Sequence, residues 1–128
     1  MPMPHDRTGW VPDPLNQECP SRAVIDLLAD KWAVLVLTAV DGGAHRNGQL
    51  MRRVGGISQK ALTRTLRDLE RNGLVDRQDF AQVPPRVEYR LTPVGQTLRP
   101  VLGQLCQWAI EHMDDIARAR AGVAAQSA

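Results

Sequence analysis

The stretch "GISQKALTRTLRDLERNGLV", residues 56–75, decides how the chain is read. Leu62, Leu66 and Leu69 fall four and three residues apart, so a helix places them on one face. Lys60, Arg64, Arg67 and Arg71 fall on other parts of the same helix. Ser58 suits the N-cap, where its hydroxyl can accept from a free backbone N–H of the first turn. Gly73 suits the position just past the helix, where a left-handed residue closes it. The pattern predicts an amphipathic helix over 58–72, apolar inside and basic outside.

The segment before it carries Leu50, Met51 and Val54 at helical spacing and stops at Gly55 and Gly56. A short helix, a Gly-Gly-Ile turn and a basic helix in succession make a helix-turn-helix. Further upstream, "CPSRAVIDLLADK" offers Pro20 at a first helical position, with Val24, Ile25, Leu27 and Leu28 as an apolar face. "KWAVLVLTAV" is apolar nearly all round and ends at Gly42 and Gly43, as expected of a helix buried in the core. Its β-branched valines also permit a strand, but a second helix fits its position better. Residues 1–18 hold four of the nine prolines and read as an N-terminal arm.

Downstream of the basic helix, Val87, Tyr89 and Leu91 alternate with Glu88 and Arg90, which marks a half-buried strand. With "LVDRQ" before it and Pro84 and Pro85 near the turn, residues 74–91 predict a β-hairpin. A hairpin directly after a basic helix is a wing, with Arg86 near its tip and Arg77 and Arg90 along its strands. Thr92 and Pro93 restart helix as cap and first residue. An apolar stripe through Leu98, Leu105, Trp108 and Ile116 then runs over residues 93–119, and Pro100 should kink it or split off its first turns. So small a domain leaves this stripe no partner, and a second copy of the chain is expected to cover it. From Arg120 the chain is expected to fray as a flexible tail, 120–128. The fold class is therefore mainly α with a small β-hairpin wing: one domain over 19–119, with N- and C-terminal helices for dimerisation.

Charge sharpens the reading. Residues 45–90 hold ten Arg or Lys against five Asp or Glu, a balance of +5; the rest of the chain balances at −3, giving the net +2. A basic centre between mildly acidic flanks suits an anionic partner. On charge alone, a merely solvated face explains the helix as well.

Other chemistry finds little support. Cys19 and Cys106 form no C-x-x-C pair, and His5, His45 and His112 lie far apart, so no metal site is expected. Asp114 and Asp115 are adjacent on a helix and point apart. No Ser-His-Asp set, P-loop or dinucleotide fingerprint is present, so neither an enzyme nor a cofactor is expected. The N-terminus has no apolar h-region, and no apolar run reaches membrane-spanning length. A cytoplasmic protein is expected, with no membrane partner.

"ECPSRAVIDLLADKW", "GISQKALTRTLRDLERNGLVDR", "VPPRVEYRLTPVGQTLRPVL" and "LCQW" together resemble the HxlR-type winged helix-turn-helix transcriptional regulators of bacteria. The likeness runs from about Glu18 to about Met113. One departure is local: these regulators usually carry an aromatic after the arginine of "HRNGQL", where this chain has Asn47 and Gly48. The resemblance implies a homodimer that binds a near-palindromic double-stranded operator. Ser58, Gln59, Lys60, Thr63, Arg64 and Arg67 would enter the major groove, where Gln and Arg read base edges while Lys and Ser hold phosphates. Arg86 on the wing would reach the neighbouring minor groove or backbone. The alternative of a different class is a winged-helix protein-interaction module without specific DNA readout.

Cys19 precedes Pro20 at the start of the first helix, where free N–H groups and the helix dipole favour a thiolate, with Arg22 close in sequence. The resemblance extends to this cysteine, through which some such regulators respond to oxidants or small electrophiles. A small capping residue without chemistry is the equal alternative. Cys106, beside Trp108 in the stripe, reads as core or interface packing.

Overall fold

The computed structural model describes residues 11–127. The expected arm therefore falls partly outside it, as do His5 and Ala128. The chain divides into two compact units, one ending at Gln96 and one beginning at Thr97.

The first unit opens with turns at Asp13 to Cys19 and enters α1 (Pro20–Leu28) with Pro at its first position. Helix α2 (Ala33–Asp41) buries Ala33, Val36, Leu37, Ala39 and Val40, as a helix apolar on most sides must. Helix α3 (Asn47–Arg53) begins where the Gln49 side chain accepts the free N–H groups of His45 and Arg46. A turn through Gly56, at φ 84°, buries Ile57 and leads into α4 (Gln59–Arg71). Ser58 caps α4 by accepting from the Ala61 N–H at 3.0 Å. Gly73, at φ 75°, closes the helix in the left-handed region that a side chain resists. Leu62, Leu66 and Leu69 are buried in the core with Val36, Leu37, Val40, Leu50 and Val75.

Strands β1 (Val75–Asp79) and β2 (Val87–Leu91) pair antiparallel, with Val75 opposite Leu91, Arg77 opposite Tyr89 and Asp79 opposite Val87. One further bond, Phe80 N–H to the Arg86 carbonyl at 2.9 Å, carries the ladder toward the loop. The segment before α3 flanks β2: Tyr89 N–H donates to the His45 carbonyl at 2.8 Å, and His45 Nδ1 lies 2.9 Å from the Tyr89 carbonyl. A carbonyl only accepts, so Nδ1 carries the proton there. Helix α5 (Pro93–Gln96) then starts from Thr92, whose hydroxyl accepts the Gly95 N–H and donates to the Gly73 carbonyl. Gly95 packs so closely that a Cβ there would lie 2.2 Å from the Leu74 carbonyl oxygen.

The second unit is α6 (Arg99–Ser127), a helix of 29 residues. Pro100 occupies its second position, where a missing N–H costs nothing, so the expected split falls just before it. Beyond Arg120, where a flexible tail is expected, the chain is helical as far as Ser127. Ala and Arg are strong helix formers, and "ARARAGVAAQS" continues the helix through Ser127. No described helix is long and apolar enough to cross a membrane.

The apolar face assigned to α1 lies open within one chain: no α1 residue is buried, and Val24 and Ile25 are each about half exposed. One further expectation is corrected. The best-covered residue of β2 is Glu88, not one of its apolar residues, because arginines two positions to either side bring their charge to its carboxylate.

Candidate nucleic-acid interface

Helix α4 separates its two faces cleanly. The leucines and Thr65 point into the core, while Gln59, Lys60, Thr63, Arg64, Arg67, Asp68 and Arg71 line one open concave surface. Arg64 lies 3.9 Å from Asp30, a long and exposed pairing that leaves its guanidinium available. Arg71 leans back on Asp68 at 3.6 Å. Among the described residues, Lys60 and Arg67 have no ion-pair partner. Of the expected set, Gln59, Lys60, Thr63, Arg64 and Arg67 line this surface, while Ser58 is the N-cap of the same helix, its hydroxyl on the Ala61 N–H.

Gln59 is held more tightly than its exposure suggests. Asn47 Nδ2 donates to Gln59 Oε1 at 2.8 Å, and Gln59 Nε2 donates back to Asn47 Oδ1 at 2.8 Å. Gln59 Nε2 also donates to Thr63 Oγ1 at 3.1 Å. Asn47 is thereby joined to this surface through Gln59, a link that sequence reasoning missed. Its partner lies twelve residues away on another helix, and no periodicity connects the two.

Arg86 sits near the tip of the wing, at the last rung of the hairpin beside the loop of residues 81–85. Its engagement there is not anticipated by the sequence reading. Its guanidinium lies 2.7 Å from Glu88 and stacks 4.3 Å over the Phe80 ring. Arg90 reaches the other Glu88 oxygen at 3.1 Å. The hydrogen bond from Arg86, then that from Arg90, hold the Glu88 carboxyl below its ordinary value, although burial at 6% exposure opposes them. Arg86 is therefore an internal partner of the wing, and Glu88 was the residue to find. The signal was present as Arg-x-Glu-x-Arg, since residues i±2 share one face of a strand.

Cys19 is the N-cap of α1 and is only 7% exposed. Its Sγ lies 3.0 Å from the Ser21 hydroxyl. That hydrogen bond lowers the thiol from its ordinary value, helped by backbone N–H groups and opposed by burial and by the Asp13 charge. The expected help from Arg22 is absent: its side chain pairs with Asp26 at 3.6 Å and with the Leu15 carbonyl. Among the described residues, no group of His, Cys, Asp and Glu could hold a metal ion.

Along α6, Leu105, Trp108 and Ile116 recur at helical spacing and remain 49%, 53% and 42% exposed, while Leu98 is partly covered. His112 stacks on Trp108 with ring centroids 4.6 Å apart.

The HxlR-like helix-turn-helix family matches residues 27–117, which span the helix-turn-helix, the wing and most of α6. The chain belongs to that family. This HxlR-like chain is 37% identical over 104 residues to the HTH-type transcriptional regulator YtfH of Escherichia coli, covering 81% of the chain and 82% of YtfH. The solved structure of the transcriptional regulator ytfH from Salmonella typhimurium superposes with a TM-score of 0.77 at 34% identity, covering 86% of this chain and 98% of that one. The redox regulator HypR in its reduced form superposes at 0.71 with 34% identity, covering 77% and 98%. The chain is a winged helix-turn-helix transcriptional regulator and not an enzyme.

Proposed function

We propose that the protein works as a homodimer that binds a near-palindromic operator through the open face of α4, with the wing 74–91 beside it. The observation that carries this reading is the division of α4. Its leucines are withdrawn into the core, and Gln59, Lys60, Thr63, Arg64 and Arg67 remain on one open surface. A duplex carries about one charge per 1.7 Å, so a surface of this sign is drawn to it and releases counterions on binding. Arg64 is the reader of a guanine edge, and Lys60 and Ser58 hold phosphates. Arg86, already paired with Glu88, contributes a backbone contact. The exposed apolar residues Leu105, Trp108 and Ile116, with Val24 and Ile25 of α1, support the dimer, because unpartnered apolar patches mark association surfaces.

Cys19 is the sensing residue in this reading. The Ser21 hydrogen bond favours its thiolate, and the structural neighbour HypR is a redox regulator by name. An electrophilic carbon would add to the sulfur, or an oxidant would join it to another thiol. Either event places new bulk at a capping position with little free space.

Mapping bound sites across the genome, followed by titration on a recovered duplex, tests the reading. Binding is expected to fall steeply with salt and to prefer the recovered site over random duplex. Diamide or methylglyoxal should change operator binding in the wild type, and Cys19→Ser should abolish the response while sparing untreated binding. A Cys19→Ser protein that responds like the wild type makes the cysteine structural. Binding that ignores sequence and salt makes the protein an interaction module instead.

A further inference from the structure

We propose that Asn47 governs the base preference of the recognition helix by closing the reading edge of Gln59. The proposal rests on the operator-binding reading above and concerns one position within each half-site. Gln59 and Asn47 are the first residues of α4 and α3, and both are exposed. Residues at the N-terminal end of a recognition helix are those that meet base edges. Gln59 therefore stands where a glutamine would read adenine, by accepting from N6 and donating to N7.

That contact needs one particular edge of the carboxamide: the oxygen together with the N–H on the same side as the oxygen. The two reciprocal bonds between Asn47 and Gln59, each 2.8 Å, close a ring of two amides facing each other, and such a ring uses that same edge on both partners. The second N–H of Gln59 points away from the ring and donates to Thr63 Oγ1 at 3.1 Å. A carboxamide has two donors and two acceptor sites. Gln59 retains only one lone pair on Oε1. Asn47 retains one N–H and one lone pair, on opposite sides of its amide. Neither side chain can grip adenine with two bonds while the pair stands. A base that opened the pair would exchange two hydrogen bonds for two and gain little by it. Gln59 therefore reads weakly, and its neighbour on α3 is the reason. Asn47 is a positioning residue: it acts on the bases through Gln59.

Selection of bound duplexes from a random pool, with three proteins in parallel, tests this. The wild type should select a palindromic site with little discrimination at the base pair facing residue 59. Asn47→Ala should release the edge and raise the preference for adenine at that pair by about tenfold or more, leaving the other positions as they were. Asn47→Ala/Gln59→Ala should lose the gained preference, since the released amide is gone. An Asn47→Ala site identical to the wild-type site overturns the proposal, and so does an adenine preference that survives in the double variant. A wild type that selects no sequence at all defeats the operator-binding reading itself, and this inference with it. In the free wild-type protein, NMR should show cross-peaks between the Asn47 and Gln59 side-chain amide protons. Their absence overturns the pairing without any variant having to fold.

Discussion

Helices α4 and α6 both carry regular apolar residues, yet they bury them very differently. In α4 the leucines are covered within the same chain, and what remains exposed is charge. In α6 Leu105, Trp108, Ile110 and Met113 stay half exposed or more along a helix of 29 residues. The first pattern is complete in one chain; the second is not. Apolar area left in water forgoes about 25 cal/mol per Å², so a row of such side chains is a standing drive to associate. In the proposed reading, recognition chemistry is written in a single copy, and assembly is left to the exposed apolar row.

The sharpest way to break this comparison is to charge the unfinished surface. Leu105→Asp should produce monomers in sedimentation at micromolar concentration. Losing the second half-site should weaken operator binding by about 10²–10⁴-fold, the usual advantage of linked sites. A monomeric wild type would show that the exposure of α6 has another meaning.

A smaller effect is expected on the complete surface. Arg64→Ala should lose ~1–3 kcal/mol on the operator and relax one base position. Lys60→Ala should weaken all duplexes alike and reduce the salt slope by about one. Neither should move the melting temperature much, since the Arg64–Asp30 pair is long and exposed. Equal affinity of both variants and wild type would remove α4 from the interface.

The smallest effect concerns the wing. Arg86 and Arg90 hold the Glu88 carboxyl low in the folded state, so its stabilising contribution is present above the ordinary carboxylate value of about 4.3. It is lost as pH falls through the lower folded value. Thermal melts should therefore show the wild type losing stability more steeply on acidification than Glu88→Gln. At neutral pH the variant leaves two arginines without their counter-charge, so binding to random duplex should strengthen slightly and depend more on salt. A variant with wild-type acid sensitivity would make the trio an idle surface cluster.

What the sequence disclosed depended on whether the determining contacts were near in sequence. Helix α4 was legible because its period, its cap at Ser58 and its stop at Gly73 all lie within one stretch. The hairpin was legible from alternation, but its inward residue was misjudged, because hydropathy does not anticipate a carboxylate satisfied by two arginines. The period of Val24 and Ile25 reveals an apolar face on α1 but not what covers it. Asn47 was noticed only as a departure from the resemblance, since its partner lies on another helix. The open face of Gln59, Lys60, Thr63, Arg64 and Arg67 is legible in one pass because a single helix supplies all of it.

The knot at Gly95 bears on how such proteins can be recombined. The Leu74 carbonyl lies 2.2 Å from where a Cβ of Gly95 would stand. The same carbonyl accepts the Thr92 N–H at 3.1 Å, while the Thr92 hydroxyl donates to Gly73. Both ends of the hairpin are thus fastened to one another at its root. A hairpin transplanted from another regulator would seat here only as a cassette running from Gly73 to Gly95, with both glycines and Thr92 inside it. A splice made within that span would join two halves of a clasp cut for different partners.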